Sequence, residues 1–169
     1  MQRWLERDAR LSRQMRVAEK PGLLRSVAAI LAHSGDSWFW LLGLIIIWLT
    51  GDISWRWRAI VLATGILLTA LVVMAIKFTV RRHRPEGEWG GIYRSTDPHS
   101  FPSGHAVRAV MLAVVALGLG PVWLGVLLSV WAPLVGLARV AMGVHYLSDV
   151  TAGMALGLLM GGVVGAMFE

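Results

Sequence analysis

The sequence predicts an all-α fold, a polytopic transmembrane helical bundle, and three observations predict it. Hydrophobic residues make up 56% of the 169-residue chain and charged residues only 15%, too little polar surface for a soluble monomer to cover itself. The apolar residues gather in runs near the length that crosses a bilayer as a helix. The breaks between runs carry glycine, proline, tryptophan and arginine, the residues of turns and membrane interfaces. A chain of this size forms one domain. It has no cysteine, so neither disulfides nor thiolate metal sites enter. The net charge of +6 suits lipid phosphates and membrane orientation better than nucleic acid in so apolar a chain.

Residues 1–20 contain charges throughout and no apolar core of signal-peptide type. Trp4, Leu11 and Met15 recur at helical spacing, with arginines on the other faces. The pattern predicts an amphipathic helix on the membrane surface, ahead of a transmembrane domain over residues 21–169. "PGLL" then starts a new segment. Residues 23–50 hold two apolar stretches around "HSGD" at 33–36. Residues 37–50 are short for a span, so either this span is short or tilted, or a helix begins earlier and carries His33 and Asp36. If Ser37 begins a span, His33 and Asp36 lie on the side of the later polar clusters and border an entrance there; capping by Ser34 or Asp36 is the simpler role.

Residues 58–79 form the next span and end in "KFTVRRHRP"; a polar loop follows over 86–100. Residues 106–119 span again, "GLGP" turns the chain, and 122–142 return with Pro133 inside, a kink that neighbouring helices must accommodate. The last span, 146–168, carries Gly153, Gly157, Gly161 and Gly165 on one face. Such a stripe admits a close helix neighbour; packing within the bundle needs no partner, whereas a homodimer seam through the same face does. The expectation is five spans, or six if residues 22–36 also cross.

Alternation of spans puts three polar clusters on one membrane side. In the first, Lys77 and Arg84 are two helical turns apart and share a face if the helix continues. Arg81 and Arg82 are expected to snorkel to headgroups, but Lys77 lies deeper, where a charge must be paired or do chemistry. In the second, "PSGH", Ser103, the Gly104 N–H and a helix start make an anion cradle; Ser103 is alternatively only an N-cap, and His105 only interfacial. In the third, His145 and Asp149 are i and i+4, so the carboxylate reaches one ring nitrogen and frees the other as base or nucleophile. Arg139 adds a fork for phosphate oxygens. Several cations without paired carboxylates suit a phosphate and argue against Mg²⁺. One histidine attacks phosphorus while the other protonates the leaving oxygen.

At these residues the sequence resembles the type 2 phosphatidic acid phosphatase (PAP2) superfamily of membrane lipid phosphatases. "KFTVRRHRP" and "PSGH" match its first two motifs. "ARVAMGVHYLSD" keeps the arginine, histidine and aspartate of the third but has Ala138 where the family usually has serine. The resemblance implies His145 as nucleophile, Asp149 as its orienting partner and His105 as general acid. It implies Lys77, Arg84, Ser103, Gly104 and Arg139 as phosphate ligands, with neither metal nor cofactor. Ala138 puts one hydrogen bond near the phosphate in doubt. The implied substrate is a lipid phosphate or diphosphate, undecaprenyl diphosphate first. Phosphatidylglycerophosphate, phosphatidic acid and lipid A phosphate are close alternatives, and a non-enzymatic lipid-binding or transport protein is the contrasting class. The implied location is the inner (plasma) membrane, multi-pass, with the site facing outward. The Arg-rich N-terminus opposes that orientation under the positive-inside rule unless a sixth crossing intervenes.

Overall fold

A computed structural model describes residues 2–87, 89 and 97–169; the remainder of the polar loop read across 86–100 lies outside the described residues. Seven helices account for the described fold: α1 (Gln2–Gln14), α2 (Leu23–Ser34), α3 (Ser37–Thr50), α4 (Ile53–Val80), α5 (Gly104–Leu119), α6 (Val122–Ala141) and α7 (Leu147–Phe168). Three of them, α4, α6 and α7, are long and apolar enough to cross a membrane. The α2–α3 pair passes the same test only together, across a 55° bend, and α5 is a shorter apolar helix.

The bundle is arranged around α5. Its residues from Ala106 to Ala116 are largely buried, packed by α7, α6 and α4, as expected of a helix apolar on every face. The outer helices turn large side chains outward: Leu42, Ile46, Leu71, Leu127, Val130 and Leu159 are all exposed. An apolar exterior of that extent belongs in lipid. Gly153, Gly157 and Gly161 all face α5. A methyl group on them would come within 2.8 Å of the Ser103 carbonyl, 2.6 Å of the Val107 carbonyl and 2.5 Å of Val114 Cβ. The stripe therefore seats α7 against α5 inside the chain, while Gly165 looks into open space.

Local chemistry fixes the ends. Asp52 accepts the Trp55 N–H at 3.0 Å and starts α4. Arg81 ends it in the left-handed conformation (φ 51°), so the helix does not continue to Arg84 as the seven-residue spacing assumed. An isolated antiparallel bridge joins His83 to His99.

The first helix is held by polar contacts that its amphipathic pattern did not reveal. Asp8 accepts the Ser148 N–H at 3.0 Å and Ser12 accepts the Leu147 N–H at 2.9 Å. These are among the first N–H groups of α7, which have no partner inside their own helix. Helix α1 thus caps α7 from outside, with Trp4, Leu5 and Leu11 exposed. The Ala18 N–H also reaches the Ala141 carbonyl at 3.1 Å, so the N-terminal segment lies at the same end as the start of α7.

Candidate active site

The three sequence clusters converge. Lys77 from α4, Arg84 from the loop, Gly104 and His105 from the start of α5, Arg139 from the end of α6, and His145 just before α7 line one cavity of about 500 Å³. Ser103 lies directly behind Gly104, fully buried, its N–H given to the Asp149 carbonyl at 3.0 Å. Asp149 is also fully buried, behind His145. Ala70, Val73 and Met74 of α4 and Trp38 of α3 give the lining an apolar part, with Thr69 beside them. Trp38 and Met74 are themselves exposed on the apolar exterior, so the cavity runs from a cationic end to the lipid-facing surface.

His145 is almost wholly buried, and its Nε2 lies 3.1 Å from Arg84 Nη1. A guanidinium only donates. Nε2 is therefore the unprotonated acceptor, its lone pair turned toward Arg84, and the proton sits on Nδ1. That Nδ1 faces Asp149 Oδ2 at 3.6 Å, an electrostatic distance rather than a hydrogen bond. Burial, followed by the charges of Arg84, Arg139 and Lys77, pushes the His145 pKa well below its ordinary value, which keeps the imidazole neutral. Asp149 instead accepts from the Tyr146 N–H at 2.9 Å and from Arg82 Nη1 at 2.7 Å. The expected i, i+4 pairing is present in direction, but α7 begins only at Leu147 and His145 precedes it.

Arg82 does not snorkel. It bridges Asp8 and Asp149, each at 2.7 Å, and its guanidinium lies 4.0 Å over the Tyr146 ring. Only Arg81 stays at the exterior. Ser103 occupies the N-cap position of α5, yet its hydroxyl makes no cap bond and has no hydrogen-bond partner among the described residues, which sets aside a capping role. Ala138 is not on the cavity; it packs against Ala28 and Ala32 of α2. The missing serine hydroxyl would have met that helix, not the cavity.

Two acidic residues join the site, Asp97 unmarked in the sequence and Asp36 expected there only as a helix cap or a border of the entrance. Asp97 gives its carboxylate to Lys77 Nζ and to Arg84 Nη2, the latter at 2.7 Å. Arg84 Nε is bound by the Asp97 carbonyl at 2.6 Å. Burial works to raise the Asp97 pKa, but Lys77 and Arg84 outweigh it and hold the carboxyl below its ordinary range. Burial lowers the Arg84 pKa against the pull of Asp97. Asp97 is thus an internal anion in the cation cradle, and nothing in its polar loop sequence marked it. The second is Asp36, 2.7 Å from His105 Nε2. It occupies the N-cap position of α3 but makes no cap bond, so the capping expected of it is replaced by a contact to the site. Ser34 likewise does not cap; its hydroxyl donates to the Leu31 carbonyl at 2.7 Å and accepts the Trp131 indole at 2.9 Å.

A neutral, buried histidine with its lone pair turned into a cluster of cations, at the end of a lipid-facing cavity, defines a membrane phosphatase. A family model described as the PAP2 superfamily matches residues 58–169. The chain is 33% identical over 158 residues to decaprenylphosphoryl-5-phosphoribose phosphatase of Mycobacterium tuberculosis, covering 89% of this chain and 84% of that one. It is 37% identical over 103 residues to an undecaprenyl-diphosphatase of Sulfolobus acidocaldarius, covering 55% and 50%. It superposes on the crystal structure of a transmembrane PAP2-type phosphatidylglycerolphosphate phosphatase from Bacillus subtilis with a TM-score of 0.79 and 25% identity, covering 99% and 87%. The chain belongs to the PAP2 superfamily and is a phosphoric-ester hydrolase.

Proposed function

We propose that this phosphatase hydrolyses a phosphate monoester or diphosphate on a polyprenyl lipid, without a metal, through a phosphohistidine on His145. The single observation that carries the mechanism is the Arg84–His145 contact, which leaves Nε2 unprotonated among the cations. The phosphate displaces the Asp97 carboxylate and is bound by Lys77, Arg84, Arg139 and the Gly104 N–H at the start of α5, with the Ser103 hydroxyl behind it. Nε2 attacks phosphorus in line, the bond to the leaving oxygen breaks, and His105 donates a proton to that oxygen. Water then attacks the phosphohistidine, giving its proton to His105, and inorganic phosphate departs with both histidines restored. Asp149 and Arg82 hold the nucleophile's segment.

Undecaprenyl diphosphate remains the first substrate choice, with the decaprenyl phosphosugar of the mycobacterial relative beside it; both relatives' names carry a prenyl chain. Phosphatidylglycerophosphate, phosphatidic acid and lipid A phosphate complete the panel. Phosphate release from that panel in detergent, with and without EDTA, is the test. Release is expected to survive EDTA and to vanish in His145→Ala. Release abolished by EDTA would refute the metal-independent route, and no release from any lipid of the panel would refute the proposed substrate class.

The same proposal gives five crossings, α2–α3 acting as one bent crossing, with α1 as the interfacial helix of residues 1–20 docked on the domain of residues 21–169. No sixth crossing then separates α1 from the site. The arginines of α1 assign their face to the cytoplasm, against the outward orientation that recycling of lipid carriers implies. Labelling a cysteine introduced into the 86–100 loop of the cysteine-free chain, from outside intact cells, decides between them: labelling means outward, protection means cytoplasmic.

A further inference from the structure

The polar cluster "HSGD" breaks an otherwise apolar segment, and the geometry gives it work at the site. The α2–α3 bend at Gly35 and Asp36 is fastened by Arg108, a buried cation one turn into α5 beyond His105. Arg108 Nε donates to the Gly35 carbonyl at 2.9 Å, its Nη2 reaches the same oxygen, and Nη1 donates to Ser37 Oγ at 2.6 Å. Gly35 touches the His105 ring itself: a Cβ there would lie 2.9 Å from Val135 Cγ1 and 3.2 Å from His105 Cδ2. The bend is therefore pressed against His105. Its neighbour Asp36 places Oδ1 2.7 Å from His105 Nε2, while Oδ2 lies 3.1 Å from His33 Nδ1 and 3.3 Å from the Trp38 indole.

We infer that Asp36 is the positioning residue of the general acid His105, fixing which ring nitrogen delivers the proton. The inference rests on the general-acid reading of His105 given above. An ionised carboxylate only accepts hydrogen bonds, so Nε2–H is committed to Asp36 and Nδ1 alone remains for the leaving oxygen. The carboxylate also steadies the imidazolium that must exist before proton transfer. The other charged groups acting on His105 are the cations Arg108 on α5 and Arg139 on α6, and Asp36, which also contacts His33 of α2, is the anion that opposes them. Asp36 lies ahead of the family-matched region, residues 58–169, so the device comes from the N-terminal segment.

The test uses leaving-group dependence, which a merely structural role does not alter selectively. An alkyl lipid phosphate monoester must be protonated as it departs, whereas p-nitrophenolate leaves without help. Wild type, Asp36→Asn, Asp36→Glu, His105→Ala and the Asp36→Asn/His105→Ala double variant are assayed on phosphatidic acid and on p-nitrophenyl phosphate. Asp36→Asn is expected to lower kcat on phosphatidic acid about 10- to 100-fold, part of the effect general acids supply, and to stay within about threefold on the aryl ester. Asp36→Glu keeps the charge with altered reach and is expected to show a smaller loss of the same selectivity; it serves where the Asn variant does not fold. The double variant is expected to be no slower than His105→Ala. Equal losses on both substrates in Asp36→Asn, or none on either, with a selective loss in His105→Ala, would overturn the role of Asp36 alone. Equal losses in His105→Ala would overturn the general-acid reading and the inference with it.

Discussion

Gly153→Ala tests whether the glycine stripe of α7 sets the active site as well as the bundle. The added methyl would lie 2.8 Å from the Ser103 carbonyl and 3.1 Å from Ala106 Cβ. Ordinary contact begins near 3.4 Å, so α7 must retreat from the start of α5 by about 0.6 Å, a shift that the α7 helix cannot absorb locally. Overpacking of this kind destabilises by about 1–3 kcal/mol. The retreat also stretches the 3.0 Å bond from Ser103 N–H to the Asp149 carbonyl, which ties the phosphate cradle to the nucleophile's segment. Displacements approaching 1 Å in a catalytic arrangement lower rates by up to about 100-fold, so a loss of about tenfold in kcat/KM is expected here. Gly165→Ala is the control: its methyl meets nothing within 4 Å, and the gain in helix propensity is up to about 1 kcal/mol. Thermal unfolding in detergent and phosphate release are measured on both. A Gly153→Ala protein with wild-type Tm and turnover, or a Gly165→Ala protein impaired as badly, would refute the close-packing argument.

Three further predictions follow from the site. Attack requires neutral His145, whose pKa burial and then Arg84, Arg139 and Lys77 push down. The acid limb of kcat/KM should therefore fall below the ordinary histidine value of about 6.5, and Lys77→Met, by removing a cation, should move that limb upward; a wild-type limb at or above the ordinary value contradicts this. Asp97→Asn removes the anion competing for Lys77 and Arg84, so inhibition by orthovanadate should tighten about tenfold, one charge-assisted hydrogen bond's worth; weaker inhibition would mean that Asp97 organises the cradle rather than competing for it. Asp8→Ala uncaps α7 and removes one of the two carboxylates that hold Arg82, with an expected loss of about 1–2 kcal/mol and reduced turnover; unchanged unfolding and activity would show that α1 is dispensable.

The helices were readable because a bilayer demands long apolar runs whatever their neighbours do. The ends at Ser37, Thr50, Leu119, Val122 and Phe168 coincide with those expected, and the remainder differ by a few residues. The convergence of Lys77, Arg84, Gly104, His105, Arg139 and His145 on one cavity was readable because cations, a helix start and histidines keep their chemistry in one dimension. Arg84 shows the limit. Its helical register with Lys77 was the wrong reason for the right neighbour, since α4 stops at Arg81 and the loop supplies the approach.

By itself, then, the sequence determined the membrane class, the helices and the cations and histidines that line one cavity, all properties of local composition and spacing. The tertiary structure decided which carboxylate faces which cation or histidine. Asp8, Asp36 and Asp97 reach Arg82, His105, Lys77 and Arg84 across 74, 69, 20 and 13 residues. Such pairings depend on how helices pack and bend, and no local pattern encodes them. The same holds for the 55° break that brings Asp36 to His105: in sequence it is a polar interruption, and only the buried Arg108 and the tight approach of Gly35 turn it into part of the site.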